Sequence, residues 1–178
     1  MTKYAIFSVI KGESKKELEK LKKEVEKKFR LQSVNFKSFP HITLKYDFET
    51  DNIKLVEEVL QKLCLRHKPF KILLEGVGTF DKNVIFLKVK KSSKLDKIYE
   101  DLIRNLKAIN WIQWESYEGK NCKPHYTIGY KQLNEVNFNK VFNYLGTKDV
   151  KVVVDFNNLA ITKLGNRERI IYKLYELR

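Results

Sequence analysis

The 178-residue chain is short of the residues that staple, punctuate or anchor a fold. Its two cysteines, Cys64 and Cys122, exclude a disulfide-framed scaffold and are expected as free thiols in a reducing cytoplasm. Together with three histidines they show no zinc-site spacing. No apolar run approaches the roughly 20 residues that a membrane-spanning helix needs. The stretch Met1–Ile10 breaks at Lys11, Gly12 and Glu13, without the core or cleavage site of a signal peptide. The seven glycines include no Gly-rich loop of the dinucleotide or P-loop kind. Proline is scarcest: of Pro40, Pro69 and Pro124, two stand directly before a histidine.

Acidic residues are outnumbered, with 22 Asp and Glu against 36 Lys and Arg, a formal charge of +14. That excess suits a polyanionic partner such as nucleic acid or a nucleotide. Pairs such as Lys15-Lys16, Lys22-Lys23 and Lys27-Lys28 are interleaved with glutamates, however, as on a solvated helix face. Hydrophobic residues at 43% and aromatics at 12% supply a sizeable core.

Strands are expected over 3–10, 41–48, 70–75, 84–90, 125–131, 150–156, 158–164 and 170–177, where β-branched and aromatic residues gather. Helical spacing is expected over 14–29, where Ser14 and Glu17 form a capping-box pattern, then after Asp51, after Ser93, and near 134–145. Gly76–Asp81 and Gly165-Asn166 are expected as turns. Three consecutive strands at the end predict antiparallel pairing, hence an α+β fold rather than a doubly wound parallel sheet.

The sharpest signal is a repeat. Phe39-Pro40-His41-Ile42-Thr43-Leu44 is matched by Lys123-Pro124-His125-Tyr126-Thr127-Ile128, close to half the chain later. Shuffling this composition would give Pro before, and Thr two places after, two of its histidines in about one chain in a million. In a strand, residues i and i+2 share a face. Each segment therefore presents an imidazole and a hydroxyl on one side and apolar residues on the other. Two such strands on one cleft would supply what phosphodiester cleavage needs. One neutral imidazole takes a proton, one imidazolium gives one, and two hydroxyls donate to the phosphoryl oxygens.

This duplicated Pro-His-x-Thr-apolar pattern resembles the 2H phosphoesterase superfamily, which includes 2′,3′-cyclic nucleotide phosphodiesterases and the RNA 2′-5′ ligase family. The resemblance implies that residues 1–178 form a single bilobal domain. It would hold two antiparallel sheets with flanking helices around a central cleft, with pseudo-two-fold symmetry. It gives catalytic roles to His41 and His125 and phosphate binding to Thr43 and Thr127. The implied activity is hydrolysis of RNA-type phosphodiesters, foremost 2′,3′-cyclic phosphates, by a cytoplasmic monomer with no cofactor and no obligatory metal. RNA or a nucleotide would be the substrate, and no membrane would be involved. The same four residues would serve 2′-5′ ligation, 2′-5′ cleavage or opening of cyclic oligonucleotides. A protein that only binds RNA, or an interaction domain that keeps only the fold, is the reading from another class.

Ligase-type relatives often carry Arg shortly after the second motif; here Gly129-Tyr130-Lys131 stands instead. Lys131 has the parity to supply the cation, and Lys45, two beyond Thr43, has the parity to hold phosphate or be a solvated strand end. Trp111, Trp114 and Tyr117 precede the second motif in an expected loop; Trp114 and Tyr117 are candidates for stacking on a base. Gly76, Gly78 and Phe80 border a cleft or form a plain hairpin turn. His67 is expected exposed and outside the site.

Overall fold

The computed structural model describes residues 1–31, 39–130, 133, 135–166 and 168–178. The strands are β1 (Thr2–Val9), β2 (His41–Thr50), β3 (Phe70–Phe80), β4 (Val84–Val89), β5 (His125–Tyr130), β6 (Lys151–Phe156), β7 (Asn158–Leu164) and β8 (Arg169–Glu176). The helices are α1 (Gly12–Lys28), α2 (Lys54–Cys64), α3 (Ser93–Lys107) and α4 (Glu135–Thr147). Each helix buries a stripe at helical spacing: Leu18, Leu21 and Val25 on α1, Leu95, Ile98, Leu102 and Leu106 on α3.

The strands form two four-stranded antiparallel sheets, ordered β2-β1-β7-β8 and β5-β4-β3-β6. The fold is therefore α+β, as the closing run of strands predicts. The chain repeats a unit, β1-α1-β2-α2 and then β4-α3-β5-α4, and in each copy the motif strand is the sheet's edge. These edges, β2 and β5, run in contact with each other. One apolar cluster draws Ile6, Ile42 and Leu44 from one sheet and Leu87, Tyr126 and Ile128 from the other. At fully buried positions each such side chain contributes about 1.5–3 kcal/mol.

Helix starts differ from expectation. α1 begins at Gly12, and Ser14 Oγ donates to the Lys11 carbonyl (3.0 Å) instead of capping. α2 starts at Lys54 without a cap from Asp51. Ser92, not Ser93, caps α3, its Oγ accepting the Leu95 N–H at 3.3 Å. Where several polar residues precede an apolar stripe, the buried face sets the start and the cap follows from it. β3 also runs straight through the expected turn at 76–80. Gly76, at φ 78°, sits in a bulge where the β3–β4 register shifts between Leu74 and Val77. Reversal comes after Phe80, where Asp81 adopts φ 47°.

Candidate active site

Both motifs fold alike. Ile42, Leu44, Tyr126 and Ile128 are buried, and His41, Thr43, His125 and Thr127 are half-buried on the other face, the expected alternation. The prolines then acquire a purpose. A residue before proline is held extended, which turns the carbonyls of Phe39 and Lys123 toward the imidazoles two residues on. His41 Nδ1–H donates to Phe39 O at 2.7 Å, and His125 Nδ1–H donates to Lys123 O at 2.6 Å. A carbonyl only accepts, so Nδ1 carries the hydrogen and Nε2 is the titrating nitrogen in both rings. The proline carbonyls also pair alike, Pro40 O with Ile10 N–H (2.9 Å) and Pro124 O with Val89 N–H (3.3 Å).

The duplication extends to a residue that sequence reading missed in each half. Thr43 pairs across the sheet with Phe7, and Thr127 with Phe86. Phe7 stacks on His41, with ring centroids 4.0 Å apart and 10° between planes. Phe86 lies 4.7 Å from His125 at 47°. Phe80 meets His125 edge-on at 4.9 Å, so it borders the site rather than closing a plain turn. Gly78 borders it indirectly: a Cβ there would lie 2.5 Å from the Phe86 ring, so only glycine leaves that ring room beneath His125. Phe7 and Phe86 could have been found only by pairing the strands, since nothing in their local sequence marks them. Val9, opposite His41, is held by Asn158, whose buried side-chain amide makes hydrogen bonds to its N–H (2.9 Å) and C=O (2.8 Å).

Burial lowers the pKa of both imidazoles, because the charged form is taken from water. His41 falls to about 4, and Arg169, His125 and Lys22 depress it further by their charge. His125 is also lowered by burial. The His125 charge is thus felt at His41 across the β2–β5 contact.

Lys45 is a correction. It shares no face with Thr43, because β2 bulges between them: Phe7 pairs with Thr43 and Ile6 with Lys45, leaving Leu44 extra. One extra residue inverts the alternation. Lys45 is fully buried, its ammonium 2.9 and 3.0 Å from the carboxylate oxygens of Glu118 and 4.8 Å from the Trp114 ring centroid. Glu118 also accepts the N–H groups of Tyr46 and Glu115, both at 2.8 Å. This knot ties the irregular 108–124 segment to the first motif strand. The matching shift in β5 leaves Ile128 extra after Thr127. Lys131 lies outside the described residues.

Trp114 packs against the core and lines a pocket with Lys107, Glu118 and Lys120 that includes neither motif. Tyr117, exposed, instead lines a pocket of about 290 Å³ with Thr43. Arg169, unmarked in the sequence, enters that pocket from β8; it donates to Asp47 (2.6 Å) and Thr162 (3.2 Å) and lies 5.3 Å from the Phe7 ring centroid. His67 is half-buried rather than exposed, its Nε2 2.9 Å from the Asp101 carboxylate, away from the motifs. Cys64 and Cys122 are free thiols. Among the described residues, no helix is long and apolar enough to cross a membrane, and no cluster of three or more His, Cys, Asp or Glu could hold a metal ion.

The architecture and the paired motifs define a class: the sequence model of the 2′-5′ RNA ligase superfamily matches residues 10–168. The chain belongs to that superfamily. It is 31% identical over 118 residues to a "putative phosphoesterase" of Geobacillus kaustophilus, spanning 62% of this chain and 62% of that protein. It is 30% identical over 144 residues to another of Oceanobacillus iheyensis, 78% of this chain and 79% of the relative. In three dimensions it resembles TT0787 of Thermus thermophilus (TM-score 0.70, 16% identity, 100% of this chain and 98% of that one). It also resembles Escherichia coli LigT complexed with 3′-AMP (TM-score 0.66, 10% identity, 99% and 97%).

Proposed function

We propose that this protein is a phosphodiesterase that hydrolyses 2′,3′-cyclic phosphates of nucleotides or RNA ends, with His41 as base and His125 as acid. The observation that carries this reading is the duplication itself. Two His-x-Thr segments occupy the touching edges of two sheets, and both imidazoles are oriented by the same backbone hydrogen bond. Neutral His41 Nε2 takes a proton from water as its oxygen attacks phosphorus. One phosphorus–ribose oxygen bond breaks, and the Nε2–H of protonated His125 supplies the proton to the departing oxygen. Thr43 and Thr127 donate to the non-bridging oxygens as charge gathers there. The roles follow from environment: the more strongly depressed His41, beside Arg169, is neutral at working pH, and an anionic phosphate favours the charged form of His125. That LigT takes 3′-AMP, a phosphomonoester such cleavage would yield, fits this reading.

Turnover of 2′,3′-cyclic mononucleotides, a 2′-5′-linked dinucleotide and a cyclic oligonucleotide, each with EDTA present, tests it. Hydrolysis of the cyclic mononucleotides, undiminished by chelator, is expected. Activity only on the 2′-5′ linkage would move the reading to the alternative substrate, and binding of RNA without turnover of any of them would leave a non-catalytic protein.

A further inference from the structure

The pocket beside Thr43 runs against the charge of the chain. The protein carries a net +14, yet two carboxylate residues, Asp47 and Glu115, line this pocket. Its cation Arg169 is already committed to Asp47 and Thr162. A second phosphate would meet like charge there. If Thr43 holds the scissile phosphate, as the proposed function has it, then the part of the substrate that enters beside it is uncharged. At about 290 Å³ the space is at the small end for a ligand site, which suits one base rather than a strand.

The walls say which kind of group fits. Tyr117 is 52% exposed, and Tyr46 braces its ring edge-on at 5.0 Å and 84°. An exposed, braced ring is a platform for a flat heterocycle. Glu115 is held at its backbone, its N–H donating to Glu118 Oε2 (2.8 Å) and its carbonyl accepting the Glu118 N–H (3.1 Å). Through Glu118 that turn is anchored to buried Lys45. A carboxylate only accepts hydrogen bonds. Guanine alone among the four bases presents two adjacent N–H donors, N1–H and N2–H, on its Watson–Crick edge. Adenine and cytosine set a bare ring nitrogen beside their one amino group, which would face the carboxylate's lone pairs. Uracil flanks its one N–H with two carbonyls.

We propose that this pocket is a guanine subsite, in which Glu115 pairs with the Watson–Crick edge of a base stacked on Tyr117. The substrate then carries guanosine next to the phosphate held at Thr43.

The test is equilibrium binding of the 3′-monophosphates of guanosine, adenosine, cytidine and uridine to the full chain, beside turnover of the matching 2′,3′-cyclic nucleotides. Guanosine 3′-monophosphate is expected to bind more tightly than the other three by on the order of tenfold or more, the usual worth of a bidentate base contact. Glu115→Gln should bring the four to a common affinity, and Tyr117→Ala should weaken all four together. Equal binding by the native protein, or a guanine preference that survives Glu115→Gln, overturns the proposal. A guanine preference in binding without turnover defeats the catalytic reading alone. Turnover without base preference defeats the guanine subsite alone.

Discussion

The two motif halves share a frame and differ in what surrounds it. In both, proline aims a carbonyl at Nδ1, a phenylalanine on the neighbouring strand supports the imidazole, and a bulge follows the threonine. Around His41 lie a parallel Phe7 ring, Arg169 and a strand tied by Lys45 to Glu118. Around His125 lie Phe80 and Phe86, inclined to its ring, with Gly78 behind Phe86. Duplicated geometry presents two imidazoles in the same frame, and unequal surroundings separate them. Burial lowers both, and charge from Arg169, His125 and Lys22 lowers His41 further, the kind of difference the proposed acid–base roles call for.

The largest expected effect breaks the pair outright. His41→Ala and His125→Ala should each lower kcat/KM on a 2′,3′-cyclic nucleotide by roughly 10²–10⁴-fold. Their pH profiles should differ. Both groups titrate below the ordinary 6.5, so the native bell should peak on the acid side of neutrality. The His41 variant should lose the acid limb and the His125 variant the alkaline limb. Loss of the opposite limbs would reverse the two roles.

Lys45→Met comes next and touches one half only. It leaves the Glu118 carboxylate buried without its cation, which typically costs about 3–5 kcal/mol. Urea unfolding reads that loss directly, and a change below about 1 kcal/mol would mean that Glu118 reaches water on its own. Gly78→Ala probes the other half. Its added methyl must displace the Phe86 ring, at an overpacking cost of about 1–3 kcal/mol. The alkaline limb, reporting His125, should move while the acid limb stays.

What the sequence made legible divides along the same line. The shared face of His41 with Thr43, and of His125 with Thr127, is legible because a period-two pattern survives over three residues, and the repeat stands out because it is improbable by chance. The α+β class followed from the order of elements. Lys45 was misplaced because parity does not survive a bulge, and no residue in Thr43-Leu44-Lys45 announces one. Phe7, Phe86, Asn158 and Arg169 reach the site through strand pairing across long separations, which a linear reading does not contain. Glu118 carries no mark in the sequence, and its partner Lys45 is 73 residues away.

The smallest expected effect sharpens the comparison through stability rather than rate. His41 is held to about 4 in the folded chain, against roughly 6.5 when unfolded. Between those values the unfolded state takes up a proton that the folded state refuses, so stability rises with pH across that window. The contribution is fully present above about 6.5, is lost as pH falls toward 4, and changes no further below it; with partial exposure it should amount to about 1–3 kcal/mol. His125 has the same sign. Thermal unfolding of the native chain, His41→Asn and His125→Asn between pH 4 and 7 separates the two. Removing His41 should flatten the pH dependence more than removing His125, because Arg169 and His125 add their charge to the burial that already disfavours His41 protonation. Equal slopes in the two variants would show that the halves are electrostatically alike, and the choice of base would then rest on how the substrate lies in the cleft.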